Sequence, residues 1–218
     1  DTVALVIHTE KVFEVGTNLP VLAHSLAPLA KVVISDQKYD TKHMPYLYNA
    51  CDVFVSVSSA EGWGVPVTEA HGCELMSITA VTGGLQDQIG FASNDKLLNE
   101  ADYVRLGSLH DIKQLPEELE IIGHSRPIWA SVKVLNGSPQ TPFLYDDFVS
   151  EDDLANELLT VFAMEKPERE HLGSLARTFV ETITPQNATA MTDRFSTCVN
   201  ECIRTFKPIQ PYLLFKAL

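Results

Sequence analysis

Basic residues are scarce in this sequence. There are 16 Lys and Arg against 29 Asp and Glu, a formal net charge of −13 over 218 residues. That balance argues against nucleic acid as a partner, because a polyphosphate backbone is bound by a basic face. Long hydrophobic runs are also missing. No apolar stretch approaches the ~18–20 residues that span a bilayer. The N-terminus has no basic stretch followed by an apolar block, so no transmembrane segment or secretory signal is expected, and the location is expected to be cytoplasmic. Cysteine is limited to Cys51, Cys73, Cys198 and Cys202, with no CxxC pair. A zinc site or a thioredoxin-type site is therefore not expected, and all four are read as buried free thiols. Asn187-Ala188-Thr189 and Asn136-Gly137-Ser138 fit glycosylation sequons, but without a secretory signal they are read as chance. There is no internal repeat and no low-complexity tract.

What is present is an ordinary globular composition, 45% apolar and 21% charged. It suffices for a core without disulfides or a metal. The first two-thirds alternates short apolar runs with helical patterns. Residues 3–7, 32–34, 52–57 and 77–81 read as strands rich in β-branched residues. Between them lie helices: one opened by Asn18-Leu19-Pro20 and reaching Leu29, one containing Met44, Leu47 and Tyr48, and one from Val65 to Cys73. This predicts a Rossmann-like, doubly wound α/β fold with a parallel sheet. Residues 100–146 predict an irregular insertion with some β character, with strands at Tyr103–Leu106 and Ile128–Leu135 and a turn at Asn136-Gly137.

The C-terminal third is helical. Ser150 followed by Glu151, Asp152 and Asp153 predicts a capped helix start. A second helix is expected from Pro167 to Ile183, and a third from a Thr184-Pro185 cap to Phe206. The apolar tail holding Tyr212, Leu213, Leu214 and Phe215 needs a surface to lie on. The chain divides as 1–183, an α/β domain, and 184–218, a helix and tail.

The informative segment is Ser58-Ser59-Ala60-Glu61-Gly62-Trp63-Gly64-Val65-Pro66-Val67-Thr68-Glu69-Ala70. It follows a strand at the carboxyl end, where open α/β sheets bind ligands. Gly62 and Gly64 permit a tight turn and close approach of a ligand. Pro66 suits a first helical turn, leaving the N–H groups of Gly64, Val65 and Val67 free to face an anion such as a diphosphate. Glu61 and Glu69 are suited to sugar hydroxyls, because a carboxylate accepts several O–H donors. Their bland alternative is acids favoured by the helix dipole. Trp63 is either a core aromatic or a pocket wall. His71, two residues beyond Glu69, points elsewhere on the helix. Asp146-Asp147 and Asp152-Asp153 are read as caps in turns or helix starts.

The string from Met44 to Val55, then Ser58, the Glu61–Ala70 segment and Gly83-Gly84, resembles the donor-binding half of retaining glycosyltransferases of the GT-B fold, family 4 type. The likeness is dense over residues 44–90. It implies that Glu61 is catalytic and meets hydroxyls of the transferred hexose, while Glu69 holds the ribose. It also implies donor contacts from Ser35, Ser58, Gly62, Trp63, Gly64, Val65, Gly83 and Gly84. The implied donor is GDP-mannose, or a UDP-sugar, and the acceptor a glycan, lipid or protein. The implied chemistry keeps the anomeric configuration and uses no metal and no further cofactor. The family also carries an upstream strand with an Arg, a following Lys-Gly, and an N-terminal acceptor domain. None of these precedes Val3, so the chain is expected to be the C-terminal part of an enzyme that packs on its N-terminal domain and is inactive alone. Two alternatives stay open: a non-catalytic nucleotide-sugar-binding or docking module, and a nucleotide-sugar epimerase.

Overall fold

The computed structural model describes residues 3–12, 16–94, 96–98, 102, 117 and 119–208. The expected strand at Tyr103–Leu106 and the apolar tail lie outside the described residues. The chain begins as β1 (Ala4–His8), α1 (Leu19–Leu26), β2 (Lys31–Ser35), α2 (Met44–Tyr48), β3 (Phe54–Ser56), α3 (Val65–Gly72) and β4 (Ser77–Ala80). It continues as α4 (Gln86–Ile89), β5 (Phe91–Ser93), β6 (Lys96–Leu97), β7 (Glu120–Ile121), β8 (Ser125–Ile128), β9 (Ala130–Leu135) and β10 (Tyr145–Val149). Three longer helices close it: α5 (Glu151–Ala163), α6 (Lys166–Thr178) and α7 (Ala188–Thr205).

The architecture is α/β and Rossmann-like, with a helical C-terminal end. Its parallel strands form two groups: β1 beside β2, and β3-β4-β8 in that order. The insertion adds a small antiparallel sheet, β6-β5-β7, and the β9–β10 hairpin. The expected strand over Ile128–Leu135 is divided at Trp129. Its first part, β8, joins the parallel sheet through β4, and its second part, β9, pairs with β10. The connection after Leu135 is longer than an Asn-Gly turn: the Asn136 N–H donates to the Leu144 carbonyl at 2.8 Å.

Local chemistry explains most element ends. Asn18 caps α1 by accepting from the Val21 N–H. The helix stops at Leu26 rather than Leu29, because Pro28 disfavours helical geometry at Ala27, whose φ is −140°. Ser150 caps α5, accepting from the Asp153 N–H at 3.2 Å, with Glu151, Asp152 and Asp153 in its first turn. Two expectations need correction. The second helix leaves α geometry after Thr178 and continues as a π-helical turn over Phe179–Ile183, where Phe179 and Val180 are buried. The third is capped by Asn187, not by Thr184-Pro185, since the Asn187 Oδ1 accepts from the Ala190 N–H at 2.9 Å.

Packing gathers around β3-β4-β8. Val161 of α5 meets Met76, Ile78 and Ile128. Val67 of α3 meets Ala80 and Leu85, and Ala70 meets Tyr48 and Leu75. Inside the sheet three buried hydroxyls close a ring: Ser77 donates to Ser125 (2.8 Å), Ser125 to Thr79 (3.1 Å) and Thr79 to Ser77 (2.9 Å). Each group is satisfied without water, as burial requires. The four cysteines are free but not buried as expected. Cys51 and Cys73 are half-buried, and Cys198 and Cys202 are exposed on α7, a helix with no buried residue.

Candidate functional site

The site is built where the loop after β3 meets the loop after β4. Gly64 ends the first loop as the residue preceding α3, with φ +80°, a left-handed conformation that glycine adopts without strain. Buried Gln88 fastens this turn: its Nε2 donates to the Gly64 carbonyl at 3.0 Å and also to the Trp63 carbonyl. Pro66 occupies the first helical turn. The Val67 N–H is not free as expected. It donates to the Gly64 carbonyl at 2.9 Å, because the helix start tightens into an i→i+3 bond.

The second loop lies directly against the first. The Gly84 N–H donates to the Glu61 carbonyl at 3.1 Å. A Cβ on Gly84 would collide with the Gly62 carbonyl oxygen, so the close approach requires glycine there. A third element completes the wall. On β10, the Asp147 N–H donates to the Ser59 carbonyl at 2.8 Å, holding the hairpin on the first loop. Together Ala60, Glu61, Gly62, Thr82, Gly83, Tyr145 and Asp147 line a cleft of about 440 Å³. A hollow of about 470 Å³ at Ala92, Leu97, Ile121 and Ile183 shares none of these residues, and its wall is mainly apolar.

Of the sequence-expected residues, the cleft brings together Glu61, Gly62 and Gly83, with Gly84 fixing the loop spacing. Ser58, Trp63, Gly64 and Val65 belong to the same segment but are not among those lining residues. Ser58 is half-buried and Val65 is exposed. The Trp63 side chain is 41% exposed, and its Nε1–H donates to Thr68 Oγ1 at 3.1 Å. Glu69 lies on α3, where its Oε2 accepts from the Tyr48 hydroxyl at 2.7 Å. Burial, and then the Glu69 carboxylate, push the Tyr48 hydroxyl well above the usual phenol range. Ser35 ends β2. Its Oγ lies 3.1 Å from His8 Nδ1 and donates to the Tyr39 hydroxyl at 3.5 Å, beside a His8–Tyr39 stack with ring centroids 5.3 Å apart.

His71 points away from the cleft into the core. Its Nε2 lies 2.9 Å from Ser77 Oγ, and its ring meets His124 edge-on with centroids 4.9 Å apart. Burial, with His124 adding to it, lowers the His71 pKa to about 3. Burial lowers His124 to about 4, against the opposing bond to the Gln88 carbonyl. Neither histidine carries charge at neutral pH in the folded chain.

The Asp146-Asp147 pair is not a cap. Both residues lie on strand β10. Asp147 is 7% exposed, and its Oδ2 accepts from Thr82 Oγ1 at 2.7 Å. Asp147, Thr82 and Tyr145 are the cleft residues that sequence reasoning missed. One signal was available: Tyr145, Asp147 and Val149 alternate, which places Asp147 on one face of a strand. Among the described residues no cluster of three or more His, Cys, Asp or Glu could hold a metal ion. No described helix is long and apolar enough to cross a membrane.

Residues 17–102 match the protein family described as Glycosyl transferases group 1. The match spans both glycine loops, Glu61, Glu69 and Ser35, and it supports glycosyl transfer in general, with a sugar donor and an acceptor. No curated protein matches the chain.

Proposed function

We propose that this chain is the donor-binding part of a retaining glycosyltransferase, moving a hexose from a nucleoside diphosphate sugar to an acceptor. The observation that carries the proposal is the convergence of Glu61 with two glycine loops at one cleft, Glu69 standing on the helix that leaves it. Glycine backbone gives a diphosphate room and N–H donors, and the carboxylates accept hydroxyls. In this reading Glu61 meets the transferred hexose and Glu69 meets the ribose. The backbone from Gly62 to Val65 and Gly83-Gly84 faces the sugar and diphosphate, and Ser35 borders the base. GDP-mannose is the first donor to test, and UDP-glucose and UDP-N-acetylglucosamine follow.

The exposed stripe on α7, formed by Met191, Phe195, Val199 and Ile203, fits packing against the acceptor-binding lobe. One observation favours a second reading, a nucleotide-sugar-binding module without turnover. Among the described residues the cleft is lined by two carboxylates and no Lys or Arg, whereas a leaving diphosphate is stabilised by cations. Thermal unfolding with GDP, UDP and their sugar conjugates tests binding. Protection that Glu69→Ala weakens is expected, and absence of protection by every nucleotide at millimolar concentration would overturn the proposal. Transfer by the chain joined to an acceptor lobe, with the product anomer assigned by NMR, separates enzyme from module.

A further inference from the structure

Asp147 holds an unsatisfied oxygen in the wall of the cleft. A carboxylate has two oxygens and room for several donors. Oδ2 is engaged by the Thr82 hydroxyl at 2.7 Å. Oδ1 is buried and has no hydrogen-bond partner. Lys133, which faces Asp147 across the hairpin register, forms an ion pair with Oδ1 at 4.0 Å, a separation beyond hydrogen-bond reach. A buried carboxylate oxygen with a distant ion-pair partner and no hydrogen bond still has room for a donor.

The placement is not incidental. The Asp147 backbone is tied to Ser59, two residues before Glu61, and its side chain to Thr82, directly before Gly83. The carboxylate is therefore fixed against both glycine loops, and it shares the cleft with Glu61. The phosphates of a nucleoside diphosphate offer no donor, and in the reading above its ribose hydroxyls go to Glu69. A sugar carries several O–H donors, and an O–H to carboxylate bond is among the strong ones.

We infer that Asp147 Oδ1 accepts a hydrogen bond from a hydroxyl of the bound sugar, making Asp147 a further sugar-binding residue and Thr82 the residue that positions it. This rests on the nucleotide-sugar reading above. It assigns sugar recognition to the β9–β10 hairpin, outside the stretch that matches the glycosyltransferase family.

Calorimetric titration of the full chain with GDP, GDP-mannose, UDP and UDP-glucose tests it, in EDTA and again with Mn²⁺. Asp147→Asn keeps the size and the Thr82 contact but replaces one acceptor oxygen by an amide. It is expected to weaken the sugar nucleotide about 10-fold, the size of one lost charge-assisted bond, while nucleoside diphosphate affinity stays within about twofold. Thr82→Val frees the carboxylate from its anchor and is expected to weaken the sugar nucleotide by a smaller factor, which Thr82→Ser restores. This second pair decides the matter if Asp147→Asn does not fold. Three results would overturn the inference: unchanged sugar-nucleotide affinity in Asp147→Asn, equal loss for nucleotides with and without sugar, or a sugar effect that exists only with Mn²⁺. Failure of the wild-type chain to bind any of the four compounds would instead remove the nucleotide-sugar reading on which it rests.

Discussion

The Tyr48 hydroxyl donates to the Glu69 carboxylate at 2.7 Å, joining α2 to α3. Tyr48 is 7% exposed and packs edge-on against Phe54, with ring centroids 5.9 Å apart. Glu69 is exposed and, in the nucleotide-sugar reading, reaches the ribose. The buried ring therefore orients a solvent-facing carboxylate.

Tyr48→Phe tests that relationship. The ring and its packing stay, and only the hydroxyl is lost. The expected destabilisation is about 1 kcal/mol, the size of one hydrogen bond. Nucleoside diphosphate affinity should fall severalfold as Glu69 gains rotamer freedom. Denaturant melts and calorimetry read the two effects separately, and full retention of affinity would mean that Glu69 needs no orientation by Tyr48.

The buried histidines predict an acid-sensitive fold. His71 and His124 have folded pKa values of about 3 and about 4, while an unfolded histidine titrates near about 6.5. Between those limits the unfolded chain binds protons that the folded chain refuses. Their contribution is complete above about pH 6.5 and is lost as pH falls, toward about 4 for His124 and about 3 for His71, at about 1.4 kcal/mol per pH unit for each histidine. Urea midpoints should therefore be lower at pH 5 than at pH 7. His71→Gln should flatten the slope by about half, and equal wild-type midpoints at the two pH values would refute the assignment.

Gly84 should tolerate no side chain. Its missing Cβ gives the Gly62 carbonyl its space. Gly84→Ala is expected to cost about 2–3 kcal/mol, in the range for forced overpacking, and to open the contact between the two glycine loops. A drop in thermal midpoint together with lost nucleotide protection is the expected pair of results. A variant that keeps both would show that the loops move apart without penalty.

Thiol labelling should proceed in two phases. Cys198 and Cys202 are exposed on α7 and should react first. Cys51 and Cys73 are half-buried and should react slowly, because burial pushes both thiols up and lowers their thiolate fraction. Neighbouring carboxylates add to this, Asp52 for Cys51 and Glu69 for Cys73, where Arg177 opposes. Mass spectrometry after brief alkylation assigns the sites, and prompt modification of all four would contradict the burial.

The asparagine cap of α7 has a measurable consequence. No residue of this helix is buried, so packing does little to hold it and local terms dominate. Asn187→Ala should cost about 1 kcal/mol locally. Hydrogen exchange should report faster opening at Ala188–Met191 with no change in the global unfolding midpoint. A fall in the global midpoint would show that the helix is coupled to the core after all.

The sequence alone determined what depends on neighbouring residues. The Ser150 cap with its three acids, the Pro66 turn into α3 and the apolar strand Ser77–Ala80 follow from local dihedral and hydrogen-bonding rules, and the structure has them. The Glu61–Glu69 spacing was legible because one loop and one helix carry both residues. Tertiary structure decided the rest. The Asp146-Asp147 pair had the composition of a turn; the alternation of Tyr145, Asp147 and Val149 could place Asp147 on one strand face, but not show that this face is covered. That outcome depends on the Asp147 N–H meeting the Ser59 carbonyl and on the Asp147 side chain meeting Thr82. Those partners lie far apart in sequence, and burial of a charged side chain is set by the elements that close over it.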